Sequence, residues 1–106
     1  MLVELDIFSG RPNPRWKLDE MARRRLVELH HGLQPTVDQP PEPPGLGYRG
    51  FVYTIDDGMW RAFDGFVAGS DSVLIDPHRA IERWLVEQLP AEYRDLGPRV
   101  NEGLGS

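Results

Sequence analysis

The sequence contains no cysteine, and Lys17 is its one lysine. The absence of cysteine excludes disulfides, thiolate metal sites and thiol nucleophiles. No window approaches the roughly 20 apolar residues that a membrane-spanning helix requires. Near the N-terminus, Glu4 and Asp6 interrupt the apolar run that a secretory signal needs. We therefore expect a cytoplasmic protein.

The size and charge of the chain narrow the classes of function. With 106 residues, 40% of them apolar and 27% charged, the chain has the length and composition of one globular domain. The formal net charge of −5 argues against binding nucleic acid or an anionic membrane over the whole surface. We therefore expect any binding to be confined to a local site.

The first half of the sequence predicts a strand followed by a helix. Val3, Leu5 and Ile7 alternate with acidic residues, which is the period of a strand with one buried face. After a connector that contains two prolines, apolar residues recur every three or four positions between Leu18 and Leu33. This spacing predicts a helix over residues 19–31 with one apolar stripe.

The second half predicts an antiparallel meander and a second helix. Turn signals at residues 56–58 (Asp-Asp-Gly) and 64–65 (Asp-Gly) separate three or four short strands that begin at Phe51. Asp76 and Pro77 form a capping pair that opens a helix, and Pro90 ends it. The predicted fold class is therefore α+β. It is a compact single domain of strand, helix, antiparallel meander and helix, with two helices packed on one sheet.

Two segments lack the pattern of regular structure. Residues 34–47 contain five prolines, which remove backbone donors, so we expect a proline-rich loop there. A loop of this length is usually functional or mobile. Periodicity weakens after Glu92, and we expect residues 93–106 to form an irregular C-terminal tail. The domain itself is accordingly predicted to span residues 1–92.

Both ends of the sequence resemble a known group of proteins. The string Phe-Ser-Gly-Arg-Pro-Asn-Pro at residues 8–14 is similar to the start of a group of small bacterial hypothetical proteins. Asp-Pro at residues 76–77 and Glu-Arg-Trp-Leu at residues 82–85 resemble the final helix of the same group. The resemblance implies no activity, substrate or catalytic residue.

The connector from Ser9 to Trp16 is the first candidate binding site, because it joins the end of a strand to a helix. Arg11 offers a planar fork of donors for a carboxylate or phosphate, Asn13 offers an amide, and Trp16 offers an aromatic face. Tyr48, which follows the proline-rich loop, can stack on the same ligand. The alternative is structural: Arg11 and Asn13 shape the connector, and Trp16 covers the edge of the core.

Candidates for proton transfer are weaker. His78 lies near the start of the predicted second helix, where the helix dipole favours a neutral imidazole, and Asp76 is close to it in sequence. The alternative is a surface histidine beside a capping residue. His30 and His31 are neighbours on a helix and diverge by about 100°, so they do not chelate one metal ion together. We expect no metal and no cofactor, and the sequence leaves open whether the protein is an enzyme.

Two functional hypotheses remain. The first is a small protein-interaction or assembly module, with a protein partner or self-association, that uses the loop over residues 9–16 and an aromatic sheet face. The second is a small enzyme or ligand-binding protein with a pocket centred on Arg11 for a carboxylate- or phosphate-bearing small molecule. Neither involves a membrane, and the acidic charge disfavours nucleic acid. The residues of the expected aromatic face are Phe51, Tyr53, Trp60, Phe63 and Phe66.

Overall fold

The computed structural model describes residues 1–104, which contain seven strands and three α-helices. Residues 105 and 106 of the predicted tail lie outside the described residues. The helices are α1 (Glu20–His31), α2 (Ala80–Glu87) and α3 (Gly97–Gly103). The strands are β1 (Leu2–Leu5), β2 (Arg15–Lys17), β3 (Gln34–Thr36), β4 (Phe51–Ile55), β5 (Gly58–Phe63), β6 (Phe66–Ala68) and β7 (Val73–Ile75).

The strands form one antiparallel sheet in the order β2-β1-β4-β5-β6-β7-β3. The α+β class and the chain order of strand, helix, meander and helix are therefore confirmed. The sequence does not predict β2 and β3, because three residues are too few to show a strand period. These two short strands close the edges of the sheet, β2 beside β1 and β3 beside β7.

The register of the strands divides the side chains between two faces. Val3, Tyr53 and Trp60 lie in one row across β1, β4 and β5, on the face that packs into the core with the helices. The next row carries Glu4 and Arg61, which alternation sends to the opposite side. We call this second side, the one opposite the helices, the open face.

Two-residue turns connect the central strands. Asp56 and Asp57 join β4 to β5 with φ of 51° and 65°, and Asp64 and Gly65 join β5 to β6 with φ of 54° and 84°. Positive φ at both turn positions gives a twist that matches the flanking strands. The second turn lies where the sequence predicts it. The first occupies two of the three predicted residues, Asp56 and Asp57, since Gly58 is already part of β5.

Two of the helices, α1 and α2, have an aspartate carboxylate bonded to an amide of their first turn. The carboxylate of Asp19 accepts a hydrogen bond of 2.8 Å from the Ala22 amide and starts α1, in the place that the sequence predicts. The carboxylate of Asp76 accepts one of 2.9 Å from the Ile81 amide. However, α2 begins only at Ala80, because a 3-10 turn over Pro77–Arg79 precedes it. Among the described residues, no helix is long and apolar enough to span a bilayer.

The C-terminal segment is ordered, so the prediction of an irregular tail from residue 93 is wrong for the described residues. A 3-10 helix over Ala91–Leu96 leads directly into α3. Leu96, Val100 and Leu104 are all buried in the core. Burial of a Val or Leu side chain contributes roughly 1.5–3 kcal/mol, which holds this segment against the rest of the domain.

The proline-rich segment crosses the open face. It leaves β3 at one edge of the sheet and enters β4 near the middle, so it must pass β7, β6 and β5. Pro40, Pro41 and Pro43 share one cleft with Arg61 and other side chains of the open face, which places the crossing on that side. We call residues 37–47 the proline strap. The first residues of the predicted loop, Gln34–Thr36, belong instead to strand β3.

Candidate functional site

Asn13 organises the connector that follows β1. Its Oδ1 accepts hydrogen bonds from the backbone amides of Ile7 and Phe8, at 3.0 and 2.8 Å. Its Nδ2 donates to the carboxylates of Glu4 and Asp6, at 3.1 Å each. All hydrogen-bonding atoms of the side chain are therefore used within the protein. Asn13 has the structural role that was the alternative to ligand binding.

Substitution of Asn13 should destabilise the fold without any ligand present. Asn13→Ala leaves two backbone amides without acceptors, and we expect a loss of roughly 2–3 kcal/mol in the free energy of unfolding. Urea denaturation followed by circular dichroism measures this loss. Arg11→Ala is the matched control and should cost about 1 kcal/mol or less, because Arg11 is exposed and loses only its stacking on Phe8. Equal effects of the two substitutions would contradict the structural role of Asn13.

Asp6 lies between two arginines on the open face. Arg61 Nη1 is 2.8 Å from Asp6 Oδ2, and Arg49 Nε donates to Oδ1 at 3.0 Å. Burial alone raises the pKa of Asp6, but the hydrogen bonds and charges of Arg61 and Arg49 outweigh burial and hold the pKa below its ordinary value. The carboxylate is therefore ionised at neutral pH, and the three charged groups together carry one surplus positive charge.

Arg49 and Arg61 differ in how many of their guanidinium donors are hydrogen-bonded within the protein. Arg49 also donates to the carbonyl oxygens of Gly45 and Phe8, so it ties the end of the proline strap to the connector. Arg61 donates only through Nη1, to Asp6 and to the Arg49 carbonyl oxygen at 2.8 Å. Its Nε and Nη2 have no acceptor among residues 1–104. Of the two arginines, Arg61 is thus the one whose Nε and Nη2 can donate hydrogen bonds to a ligand.

Arg61 also lines a cleft under the proline strap, which we call the strap cleft. It has a volume of about 220 Å³. Arg61, Phe63, Phe66 and Ala68 form its floor on β5 and β6. Three prolines of the strap form its roof: Pro40, Pro41 and Pro43.

A second, shallower groove of about 250 Å³ lies on the other half of the open face. Leu2 and Met59 line it and are 57% and 69% exposed. Glu4 and Arg15 line the same groove and form an ion pair of 2.7 Å. The larger depression beside the strand β7, of about 580 Å³, has Asp38 and Asp71 as its charged lining and offers no cation. The open face is thus one place where apolar and cationic groups occur together.

The predicted binding residues do not meet in one pocket. Arg11 is exposed and stacks its guanidinium on Phe8, 3.7 Å from the ring centroid. It lines a shallow cleft with Glu92 and Asp95, whose carboxylates would repel an acidic ligand. The Arg11-centred pocket therefore lacks the charge that the hypothesis requires.

The side chains of Trp16 and Tyr48 are buried in the hydrophobic core. Trp16 belongs to β2 and packs edge-on against Phe51 with a centroid distance of 6.3 Å. Tyr48 is buried and donates its hydroxyl to Glu82 at 2.6 Å. Burial raises the pKa of Tyr48, and the Glu82 charge adds to the effect. Both residues are 8% exposed, and Tyr48 also lines a cleft of about 440 Å³ together with Phe63 and Arg99.

The candidates for proton transfer are also separated. His78 is exposed, and its ring has no hydrogen-bond or ion-pair partner in the described part of the chain. Asp76 is buried beneath α2, and burial raises the pKa of Asp76. Its side chain instead caps that helix through the Ile81 amide. The structure does not bring these two groups together at a reachable site.

The aromatic residues divide between the two faces. Phe51, Tyr53 and Trp60 belong to the core side, where the Tyr53 hydroxyl is 3.0 Å from His30 Nδ1. Phe63 and Phe66 lie on the open face and are partly covered by the proline strap. The expectation of one aromatic docking face is therefore wrong for the first three residues. The open face exposes mainly aliphatic side chains.

Sequence reasoning missed Asp6, Arg49 and Arg61. One signal for Arg61 was present, since it sits between apolar residues in a predicted strand and must point away from the core. Its partnership with Asp6 across 55 positions carried no local signal. The strand order brings them together, and the sequence pattern leaves that order open.

Comparison of the chain with protein-family models, curated protein sequences and solved structures found no significant match. The resemblance of residues 8–14 to small bacterial proteins stays a prediction. Within residues 1–104, no three histidine, aspartate or glutamate side chains gather as a metal-binding set.

Proposed function

We propose that this protein is a small protein-interaction module that binds an acidic segment of a partner protein on the open face of its sheet. The observation that supports the proposal is an exposed apolar groove with cations at its border. Leu2 and Met59 are more than half exposed and lie beside Arg15 of β2. Exposed apolar side chains grouped within a polar border are typical of interaction sites.

The charge of the open face favours an acidic partner. Arg15, Lys17 and Arg61 point to this face from β2 and β5, and Glu4 is the acidic residue in the same rows. With the Arg49–Asp6 pair beside Arg61, four basic side chains stand against two acidic side chains, on a protein whose net charge is −5. Complementary charge guides association and excludes partners of the wrong sign.

The sheet edges favour docking on the face over addition of a strand. Both edge strands, β2 and β3, are only three residues long. β3 also contains Pro35, which has no amide to donate to a further strand. The proposal therefore places the partner across the strands. The cytoplasmic location stays a prediction that this proposal adopts.

Site-specific photo-crosslinking in the host tests the proposal. A benzophenone side chain at the exposed position Thr54 on the open face should capture a partner, and sequencing of the crosslink should show an acidic segment. The same side chain at Met21, which is 83% exposed on α1, is the matched control and should capture nothing specific. Met59→Asp should abolish the Thr54 crosslink, because it adds negative charge to the groove.

The control substitution Met21→Asp should leave the Thr54 crosslink unchanged. Equal capture at Thr54 and Met21, or capture that survives Met59→Asp, would contradict binding on the open face. A crosslink from Thr54 to a second copy of this chain, or to a basic segment, would contradict the acidic partner.

A further inference from the structure

We infer that the strap cleft is a binding site for a small carboxylic acid with a flat apolar body, which Arg61 holds by its unused guanidinium edge. This inference goes beyond the proposed function and does not depend on it. A protein partner would dock on the exposed half of the open face, whereas this ligand would enter beneath the strap.

Arg61, which lines the cleft, keeps one edge of its guanidinium for a bidentate contact. Arg61 Nη1 is fixed by Asp6 Oδ2 and by the Arg49 carbonyl oxygen, at 2.8 Å each. The parallel donors Nε and Nη2 on the other edge have no acceptor among the described residues. A guanidinium edge of this kind matches the two oxygens of a carboxylate. Because Asp6 holds the group in place, little side-chain entropy remains to be lost on binding.

The balance of charge favours an anion. Asp6 neutralises one of its two arginines, so the cluster of Arg49, Arg61 and Asp6 beside the cleft keeps one positive charge. Glu42 of the strap lies between Pro41 and Pro43, but its side chain is exposed and does not line the cleft. A carboxylate would cancel that positive charge. A phosphate dianion would bring two charges and more oxygens than the single free edge of Arg61 can satisfy.

The walls of the cleft favour a flat apolar body. Phe63 and Phe66 provide aromatic surface on the floor, and Ala68 leaves room between them and the strap. Three prolines provide a stiff roof, so the cleft needs little ordering when a ligand enters. Pockets for drug-sized ligands measure about 300–1,000 Å³. A cleft of about 220 Å³ therefore suits a body the size of one aromatic ring.

Titration with benzoate tests the inference on the intact protein. Benzoate should shift the amide resonances of β5, β6 and the strap in a saturable manner, with a dissociation constant on the order of a millimolar or tighter. Benzyl alcohol, which has the ring without the charge, and sulfate, which has charge without the ring, should each bind at least about tenfold more weakly. Sulfate binding equal to that of benzoate would overturn the carboxylate assignment and indicate a general anion site.

Variants separate the guanidinium contact from the shape of the cleft. Arg61→Lys keeps the charge beside Asp6 but loses the fork, and should weaken benzoate binding at least about tenfold. Arg15→Lys is the matched control on the same face, outside the cleft, and should not change it. Ala68→Leu fills the cleft without altering charge and should also abolish binding.

Circular dichroism of each variant establishes that it is folded. If benzoate causes no saturable shifts in the wild type, or binds Arg61→Lys and Ala68→Leu as tightly as the wild type, the inference is wrong. Shifts confined to the groove beside Leu2 and Met59 would overturn it as well. None of these outcomes bears on crosslinking at Thr54, so the two proposals fail independently.

Discussion

Gly50→Ala should lower the free energy of unfolding by about 4 kcal/mol or more. Gly50 has a φ of 102°, a conformation that side-chain-bearing residues rarely adopt. A Cβ at this position would lie 2.4 Å from the Ala62 carbonyl oxygen and 2.9 Å from the Phe63 Cβ. The first of these atoms is backbone in the neighbouring strand β5, so it cannot move aside without breaking the sheet.

The expected cost follows from strain and clash together. An unfavourable backbone conformation costs on the order of 1–3 kcal/mol, and the clash brings the total to about 4 kcal/mol or more. A domain of this size has a total stability of about 5–15 kcal/mol. The free energy of unfolding in urea measures the loss. Gly45→Ala is the matched control, since nothing lies within 4 Å of its added Cβ; equal stability of the two variants would contradict the local geometry.

Arg79→Met should be the second severe substitution, because it leaves Glu82 buried without its counter-ion. Glu82 is completely buried, and Arg79 contacts its two carboxylate oxygens at 3.0 and 2.9 Å. Tyr48 and the Gly65 amide complete the set of donors, at 2.6 and 3.0 Å. Breaking a buried ion pair by removing one partner costs about 3–5 kcal/mol.

A double variant separates the lost charge from the lost packing. Glu82→Gln keeps an oxygen for Tyr48 and Gly65 but removes the negative charge, so Arg79→Met with Glu82→Gln should be at least about 1 kcal/mol more stable than Arg79→Met alone. Arg79 has a left-handed backbone with a φ of 56°, and methionine keeps the same Cβ, so backbone strain does not change. Equal stability of the single and double variants would show that charge is not the cause.

The parts of the fold that could be predicted from the sequence depend on local signals. The cap at Asp19, the Asp-Gly turn at residues 64–65 and the apolar stripe of α1 each act within a few residues. The C-terminal helices also had a signal, since Leu96, Val100 and Leu104 recur every four residues. Gly97 and Pro98 argued against a helix in spite of this spacing, because both residue types usually interrupt helices. Proline is tolerated here because it lies in the first turn of α3.

The candidate site could not be predicted because it depends on strand order. The β1 strand pairs with β4, which comes 46 positions later in the chain, and this pairing brings Asp6 to Arg49 and Arg61. The sequence instead predicted a site at Arg11 and Asn13, because a guanidinium and an amide can hydrogen-bond to a ligand. The structure shows that Asn13 is used to hold the connector and that Arg11 covers Phe8. The polar side chains of a loop can form their hydrogen bonds with the backbone of the same loop, which leaves none for a ligand.

The central claim is that the open face is the binding surface. The most direct test is amide chemical-shift mapping with a synthetic peptide of the acidic segment that crosslinks to Thr54. We expect saturable shifts in β1, β2, β4 and β5 that weaken with added salt, since the contact joins opposite charges. Shifts confined to α1 and α3, or to the exposed end of the connector around Arg11, would contradict the claim.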